Sequence, residues 1–343
     1  MKERESGIDL LRCTGLLFVV SVHFFLYNGF YFEPQTGFRM WLADSFRWLF
    51  FGCNGLYMML TGYLKSVQPL NRRYYRSLLP VIVGYAAAAA ISIPIRHFAM
   101  GDRQTFGEWL NRFINFSGCY YGWYVEMYIG LLLFSPVINL ALEQCKDTKS
   151  LLWLMGTMVL ITALPSMTDL ALAPDYWVSL YPLTHYVIGG VIRRLQPRVH
   201  PGLGIGAALL TAMGLGLATV LSTDGQYSDA YSQGYGGFWI TLIVTGIFLA
   251  LYPLRPGKGL AGVLQWAAGG CFEGYLLSHL LDGWVYTAIP AWRTPKNYPA
   301  AYLCLTIPIF FASLLAGKLL HAAVAACTKS GKRGEIRLSR QIP

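Results

Sequence analysis

Asp9, Arg12 and His23 stand in an otherwise apolar N-terminal stretch that reads Asp-Leu-Leu-Arg-Cys-Thr-Gly-Leu-Leu-Phe-Val-Val-Ser-Val-His-Phe-Phe-Leu. A carboxylate, a guanidinium and an imidazole that titrates near neutrality are groups suited to anion binding and proton transfer. In a helix, eleven residues return His23 to within about 20° of Arg12 and carry it about 16 Å along the axis. Asp9, three residues before Arg12, falls on the adjoining part of that face. Ionisable groups in hydrocarbon are costly, so a helix carries them where they meet a protein interior or a watered cavity. This face marks a site or the wall of one.

Other chemistry-bearing residues are sparse and recur in apolar surroundings. Glu126 follows an aromatic run, Cys119-Tyr-Tyr-Gly-Trp-Tyr-Val-Glu, and His279 lies in Gly274-Tyr-Leu-Leu-Ser-His. Asn54 and Tyr57 are the polar points of Gly52-Cys-Asn-Gly-Leu-Tyr-Met-Met-Leu-Thr-Gly62, whose small residues suit close helix packing or leave room for a ligand. Arg72, Arg73 and Arg76 are interleaved with Tyr74 and Tyr75 before Pro80. They read either as a topology signal or as a phosphate clamp, because guanidinium pairs with phosphate through paired hydrogen bonds. Seven cysteines are scattered without a CxxC pair or a cluster with histidine, which suggests packing and no metal.

The elements that must position these groups are membrane helices. The chain has 343 residues, 55% hydrophobic and only 13% charged, with a mean hydropathy of +0.44, against about 25% charge in soluble proteins. Apolar runs near 20 residues, without β-barrel alternation, predict an all-α polytopic bundle. Ten spans are expected, near 9–30, 42–64, 75–95, 119–142, 151–168, 177–193, 203–222, 236–254, 260–283 and 298–323. One membrane domain over 1–328 and a basic tail over 329–343 account for the chain.

The net charge of +10 would suggest nucleic acid in a soluble protein, but the spans give it another origin. They leave 20 of the 27 Lys and Arg on the side of both termini and seven on the other. The positive-inside rule then sets both termini in the cytoplasm. The start does not read as a cleavable signal, because its apolar region is long and carries Asp9, Arg12 and His23. Between the third and fourth spans, Phe106-Gly-Glu-Trp-Leu-Asn-Arg-Phe-Ile-Asn predicts a short interfacial helix. With this topology His23, Glu126 and His279 fall at a similar depth in the outer half of the bilayer. If their helices are neighbours, they form either a satisfied structural network or a reaction site.

These motifs, taken in order, resemble the acyltransferase 3 family of integral membrane acyltransferases. The resemblance rests on Gly7-Ile-Asp-Leu-Leu-Arg12 with ten residues between Arg12 and His23, and on Tyr57-Met-Met-Leu-Thr-Gly-Tyr-Leu. It continues through the Arg-rich loop ending at Pro80, Gly122-Trp123-Tyr-Val followed by Phe134-Ser-Pro136, and Gly274-Tyr-Leu-Leu-Ser-His279. It covers essentially the whole chain. The family's His before the Trp is absent, since Tyr121-Gly122 precede Trp123. The extracytoplasmic hydrolase-like domain that some members carry is not expected within these 343 residues.

The resemblance implies transfer of an acyl group, expected to be acetyl, from cytoplasmic acetyl-CoA to a hydroxyl of an extracytoplasmic glycan or lipid-linked saccharide. The expected setting is the bacterial cytoplasmic membrane, with membrane lipids as the other partners. His23 is the expected general base, with Glu126 orienting it and Arg12 at the donor. Arg12, Arg72, Arg73 and Arg76 are expected to hold CoA, while Asn54, Tyr57, Trp123 and His279 are expected to contact substrate. Arg12 can alternatively serve only to pair with Asp9, and Cys13 is a conceivable but weak nucleophile. Direct transfer and an acyl-histidine step both stay open. The competing class is an ion- or proton-coupled transporter of a small polar solute, which polar groups at mid-membrane also describe. A third reading is a membrane sensor module.

Overall fold

The computed structural model describes residues 5–167, 174–222, 224–228, 234–288 and 294–339, and among these the regular structure is entirely helical. In chain order the α-helices are α1 (Ser6–Tyr27), α2 (Gly37–Phe51), α3 (Cys53–Lys65), α4 (Arg72–Arg76), α5 (Leu79–Phe98), α6 (Phe106–Ile114), α7 (Trp123–Gln144) and α8 (Thr148–Thr162). Then come α9 (Tyr181–Leu195), α10 (Pro201–Ser222), α11 (Phe238–Leu251), α12 (Lys258–Ala268), α13 (Cys271–Ala288), α14 (Tyr298–Ala301) and α15 (Ile307–Ser339). A π-helical turn, Tyr302–Thr306, joins α14 to α15.

Among the described residues, five helical runs are long and apolar enough to cross a membrane: Ser6–Tyr27, Tyr74–Phe98, Trp123–Gln144, Pro201–Ser222 and Pro295–Ala326. Two further apolar helices, Thr148–Thr162 and Phe238–Leu251, are shorter. Two of the expected spans are interrupted. The stretch 42–64 divides at Gly52, where an added Cβ would meet the Val244 side chain at 2.8 Å. The stretch 260–283 divides at Gly269-Gly270, where a Cβ on Gly270 would meet the Lys318 backbone at 2.7 Å. In both places the chain bends at a glycine because a neighbouring element occupies the space a side chain would need.

Helix α1 is the central wall, in contact with α2, α3, α11, α12, α13 and α15. Its end is defined locally: the Asn28 amide donates to the Phe24 carbonyl at 2.7 Å, and Gly29, at φ 73°, turns the chain away in a conformation glycine adopts without penalty. Around it, helices approach at small residues. A Cβ on Gly62 of α3 would sit 2.0 Å from the Tyr186 carbonyl of α9, and one on Gly189 of α9 would sit 1.9 Å from the Met59 carbonyl. In the same way a Cβ on Gly317 of α15 would meet the Gly270 carbonyl at 2.2 Å. Such backbone contact is how helices associate where lipid removes the hydrophobic drive between them.

The expected interfacial helix is α6. Thr105 and Glu108 close a capping box at its start, which satisfies two of the amides a helix terminus leaves free. Arg96 ties this hairpin down. It is fully buried, with Nη1 donating to the Gly118 and Ser117 carbonyls at 2.8 and 3.1 Å. Its Nη2 reaches Asp102 at 2.5 Å, and Arg112 meets the same carboxylate oxygen at 3.0 Å. The Trp109 ring lies against both guanidinium groups, at 5.0 and 5.2 Å. Partial burial opposes ionisation of Asp102, but hydrogen bonds from Gln104 and Arg96 and the charges of Arg96 and Arg112 outweigh it. Its carboxyl is held below the ordinary carboxylate range. The network fixes the 116–122 segment that leads into α7.

Candidate active site

Arg12, Val19 and His23 recur along one face of α1, as the helical period requires. They do not touch a single ligand-sized space. Arg12 and Val19 line a cavity of about 330 Å³ together with Asn54, Tyr57, Lys65, Pro80, Tyr124, Tyr128, Glu273 and Tyr275, among others. His23 stands one turn beyond Val19 and does not line that cavity.

Arg12 pairs with Asp9 at 2.8 Å and keeps 31% of its side chain exposed, so it both holds the acid and faces the cavity. Lys65 adds a second cation to the lining, which also carries a hydrogen bond between His321 Nδ1 and Glu273 Oε1 at 2.8 Å. Tyr57 spans to α1, its hydroxyl donating to the Arg12 carbonyl at 3.1 Å while its ring fills the space beside Gly15. Asn54 is buried, and its Nδ2 has no hydrogen-bond partner, which is costly for a buried donor. That donor belongs to a cavity-lining residue and is available to a carbonyl placed there.

Beyond the cavity, past Val19, Tyr124 and Tyr275 of its lining, stands an aromatic cluster. The Tyr121 ring lies parallel on the His23 ring, centroids 3.9 Å apart and planes within 1°. The Tyr121 hydroxyl donates to Asp282 Oδ2 at 2.7 Å, and its carbonyl accepts from the Tyr275 hydroxyl at 2.5 Å. Asp282 is fully buried; its Oδ2 lies 3.9 Å from His23 Nδ1, and its Oδ1 has no hydrogen-bond partner. His279, also fully buried, sets its ring edge-on to Tyr121 at 5.6 Å and to Tyr120 at 5.5 Å. Its Nδ1 meets the Leu276 carbonyl at 2.8 Å. A carbonyl only accepts, so Nδ1 carries the proton and Nε2, buried without a hydrogen-bond partner, holds the lone pair. Tyr275, His279 and Asp282 share one face of α13 by their i, i+4 and i+3 spacing, and α13 packs directly on α1. The result is two histidines, a buried carboxylate and a tyrosine in one cluster, which is equipment for moving a proton.

A family model described as an acyltransferase domain, acyltransferase 3, matches residues 5–318. The chain belongs to the acyltransferase 3 family. With five helices among the described residues long and apolar enough to span, this family member is a multi-pass membrane acyltransferase. No curated protein and no solved structure matches it significantly.

Within this acyltransferase 3 chain, the residues expected from sequence separate into three groups. Arg12, Asn54 and Tyr57 come together at the cavity, and His23 and His279 come together above it. Arg72 and Arg76 are exposed on α4, which Asn71 caps by accepting from the Tyr74 amide; α4 precedes the Pro80 and Val81 that line the cavity. The Arg73 side chain lies outside the described residues.

Glu126 and Trp123 are the corrections. Helix α7 starts at Trp123, so Glu126 occupies its first turn and is exposed, where a negative charge suits a helix N-terminus. Tyr124 and Tyr128, one turn apart, take the face toward the cavity, and Glu126 lies about 200° from Tyr124 around the helix. Asp282 stands beside His23 instead. Trp123 is 41% exposed and stacks on Tyr235 at 5.8 Å, away from the histidines. An aromatic belt accounts for Trp123 and half-exposed Tyr120 but not for Tyr121 and Tyr124, both buried. Asp282 and Tyr121 were the missed residues. The i, i+3 spacing of Asp282 from His279 was the available signal for the first, and the position of Tyr121 two before Trp123, where the family carries His, for the second.

Proposed function

We propose that this chain is an O-acyltransferase of the bacterial cytoplasmic membrane that moves an acetyl group from cytoplasmic acetyl-CoA to a hydroxyl of an extracytoplasmic or lipid-linked glycan. In this reading the bundle crosses the membrane ten times with both termini in the cytoplasm. One observation carries it above the others: a cavity walled by Arg12 ends one helical turn short of the His23–Tyr121–Asp282 cluster. A cytoplasmic donor and a base on the far side need such a conduit.

The cavity's 330 Å³ stands at the low end of ligand sites, about 300–1,000 Å³. It suits the pantetheine arm and the acetyl group, and the nucleotide stays at the mouth. There Arg72, Arg73, Arg76 and Lys65 supply cations for phosphate. Inside, the unpaired Asn54 Nδ2 donates to the thioester carbonyl as negative charge builds on its oxygen. His23 takes the proton of the acceptor hydroxyl. The oxygen attacks the thioester carbon, the carbon–sulfur bond breaks, and the proton returns to the CoA thiolate. Asp282, tightening from its 3.9 Å separation, fixes His23 with Nδ1 protonated so that Nε2 acts as the base, the role a carboxylate plays behind histidine in a triad. Catalytic contacts that are long without substrate commonly close in the complex.

Purified protein in liposomes, supplied with labelled acetyl-CoA and envelope glycan, tests the proposal. His23→Ala should lower transfer by about a hundredfold or more. Transfer unchanged in His23→Ala would remove His23 as the base, and solute uptake without CoA release would overturn the acyltransfer reading as a whole.

A further inference from the structure

A second cavity, about 530 Å³, lies on the far flank of α1 and shares no lining residue with the first. One wall is a face of α2, with Phe38, Arg39, Leu42, Ala43, Phe46 and Phe50 at helical spacing. The opposite wall is the segment from Pro295 through α14 into the π-helical turn, which contributes Lys296, Tyr298, Tyr302 and Leu303. Phe24 and Phe25 of α1 close the back.

The groove is graded along its length. Arg39 in the first turn of α2 and Lys296 just before α14 both line the groove, and the segment that carries Lys296 packs on α2. From Arg39 to Phe50 is eleven residues, about 16 Å, and past the two cations the walls carry no further charge. No acid lines the groove, and neither cation forms an ion pair among the described residues. Sixteen ångströms is about half of a hydrocarbon core of about 30 Å, the depth of one leaflet. A paired positive end with an apolar channel one leaflet deep is complementary to a lipid with a negative headgroup.

We propose that this groove is a binding site for an anionic phospholipid of the surrounding bilayer, its phosphate held by Arg39 and Lys296 and one acyl chain lying along Phe46, Phe50 and Tyr302. The site is coupled to α1. The Tyr302 hydroxyl shares a hydrogen bond with Ser21 at 2.7 Å, and the Phe24 ring packs edge-on against Tyr302 at 5.7 Å, one residue from His23. The π-turn that presents Tyr302 belongs to a class of helix irregularity that recurs at functional sites. The lipid goes beyond the acetyl-transfer proposal, and its test does not depend on that proposal.

Native mass spectrometry of the delipidated full-length protein, titrated with phosphatidylglycerol or phosphatidylcholine of identical chains, reads the occupancy directly. The wild type should retain phosphatidylglycerol preferentially. Replacing both cations, Arg39→Gln with Lys296→Gln, should weaken that binding by about tenfold, since each cation near a membrane surface contributes modestly. Ala43→Trp, which fills the groove and leaves both charges, should remove the tightly held lipid of either kind. Melting temperatures of the variants within a few degrees of wild type show that they are folded, and the exposed sites of Arg39 and Lys296 make that the expectation. Equal retention of the two lipids by the wild type, or unchanged retention of phosphatidylglycerol in the double Gln variant, overturns the proposal.

Discussion

At the scale of single residues, Asp282 has the clearest consequence. It is fully buried, accepts one hydrogen bond from Tyr121 on Oδ2, the oxygen 3.9 Å from His23 Nδ1, and leaves Oδ1 without a hydrogen-bond partner. Asp282→Asn keeps the volume but places an amide where the histidine needs an acceptor. Acetyl transfer should then fall by at least tenfold in kcat with little change in the KM for acetyl-CoA, because the donor cavity is untouched. Tyr121→Phe removes the hydroxyl and keeps the ring on His23, so its loss should be smaller than that of Asp282→Asn. The reverse order would place the chemistry on Tyr121 and count against Asp282 as the orienting acid. Steady-state kinetics on the two variants decide between them.

At the scale of elements, small residues and one ion-pair network hold the site's walls in place. Gly317 lets α15 meet α13 backbone to backbone, so Gly317→Leu should destabilise by about 1–3 kcal/mol or prevent folding, as overpacking does. Gly107→Ala in α6, where no atom lies within 4 Å of an added Cβ, should be neutral or slightly stabilising. Thermal melting in detergent compares the two. The Arg96–Asp102–Arg112 network predicts a pH effect of definite sign. Asp102 titrates lower in the folded chain than when unfolded, so its stabilising contribution is complete above the ordinary carboxylate value near 3.9. That contribution is lost as pH falls through the depressed folded value. Hydrogen exchange across α6 and the 116–122 segment should therefore stay protected from neutrality down to about pH 4 and open only below it. Asp102→Asn should show that opening at neutral pH. Protection in Asp102→Asn equal to that of the wild type would mean the carboxylate does not anchor the segment.

At the scale of the whole molecule, the prediction concerns orientation. In the proposed topology, with both termini in the cytoplasm, the loop after α5 would face outward and the loop between α7 and α8 inward. In a background without native cysteines, an impermeant maleimide added to intact cells should label Arg103→Cys and spare Lys146→Cys until the membrane is opened. The opposite pattern would invert the topology and place the Arg12 end of the cavity outside, where acetyl-CoA is absent.

Much of this protein is legible one segment at a time. The hydrocarbon core penalises every charge and every unpaired amide, so apolar length announces the helices, and a charge inside one announces a lined interior. Arg12 and His23 share an inward face for that reason, and the apolar spacing from Phe106 predicts α6. What the local pattern does not carry is which faces meet. Glu126 looked equivalent to His279 by depth, yet depth is one coordinate and rotation about the helix is another. Helix α7 begins at Trp123, four residues after the expected start, which leaves Tyr121 before the helix and lying on His23. Its inward face carries Tyr124 and Tyr128, while Glu126 is exposed. Asp282 joined the site because α13 packs against α1 at backbone distance from α15, and no sequence spacing encodes that neighbour. The sequence by itself determined that this is a membrane helical acyltransferase with an arginine and a histidine about 16 Å apart on one helix face. Only the tertiary structure decided that Asp282, His279 and Tyr121 complete the histidine's surroundings and that a cavity runs from the arginine to within a turn of it. Solvation acts on each segment alone, whereas packing is settled among all of them at once.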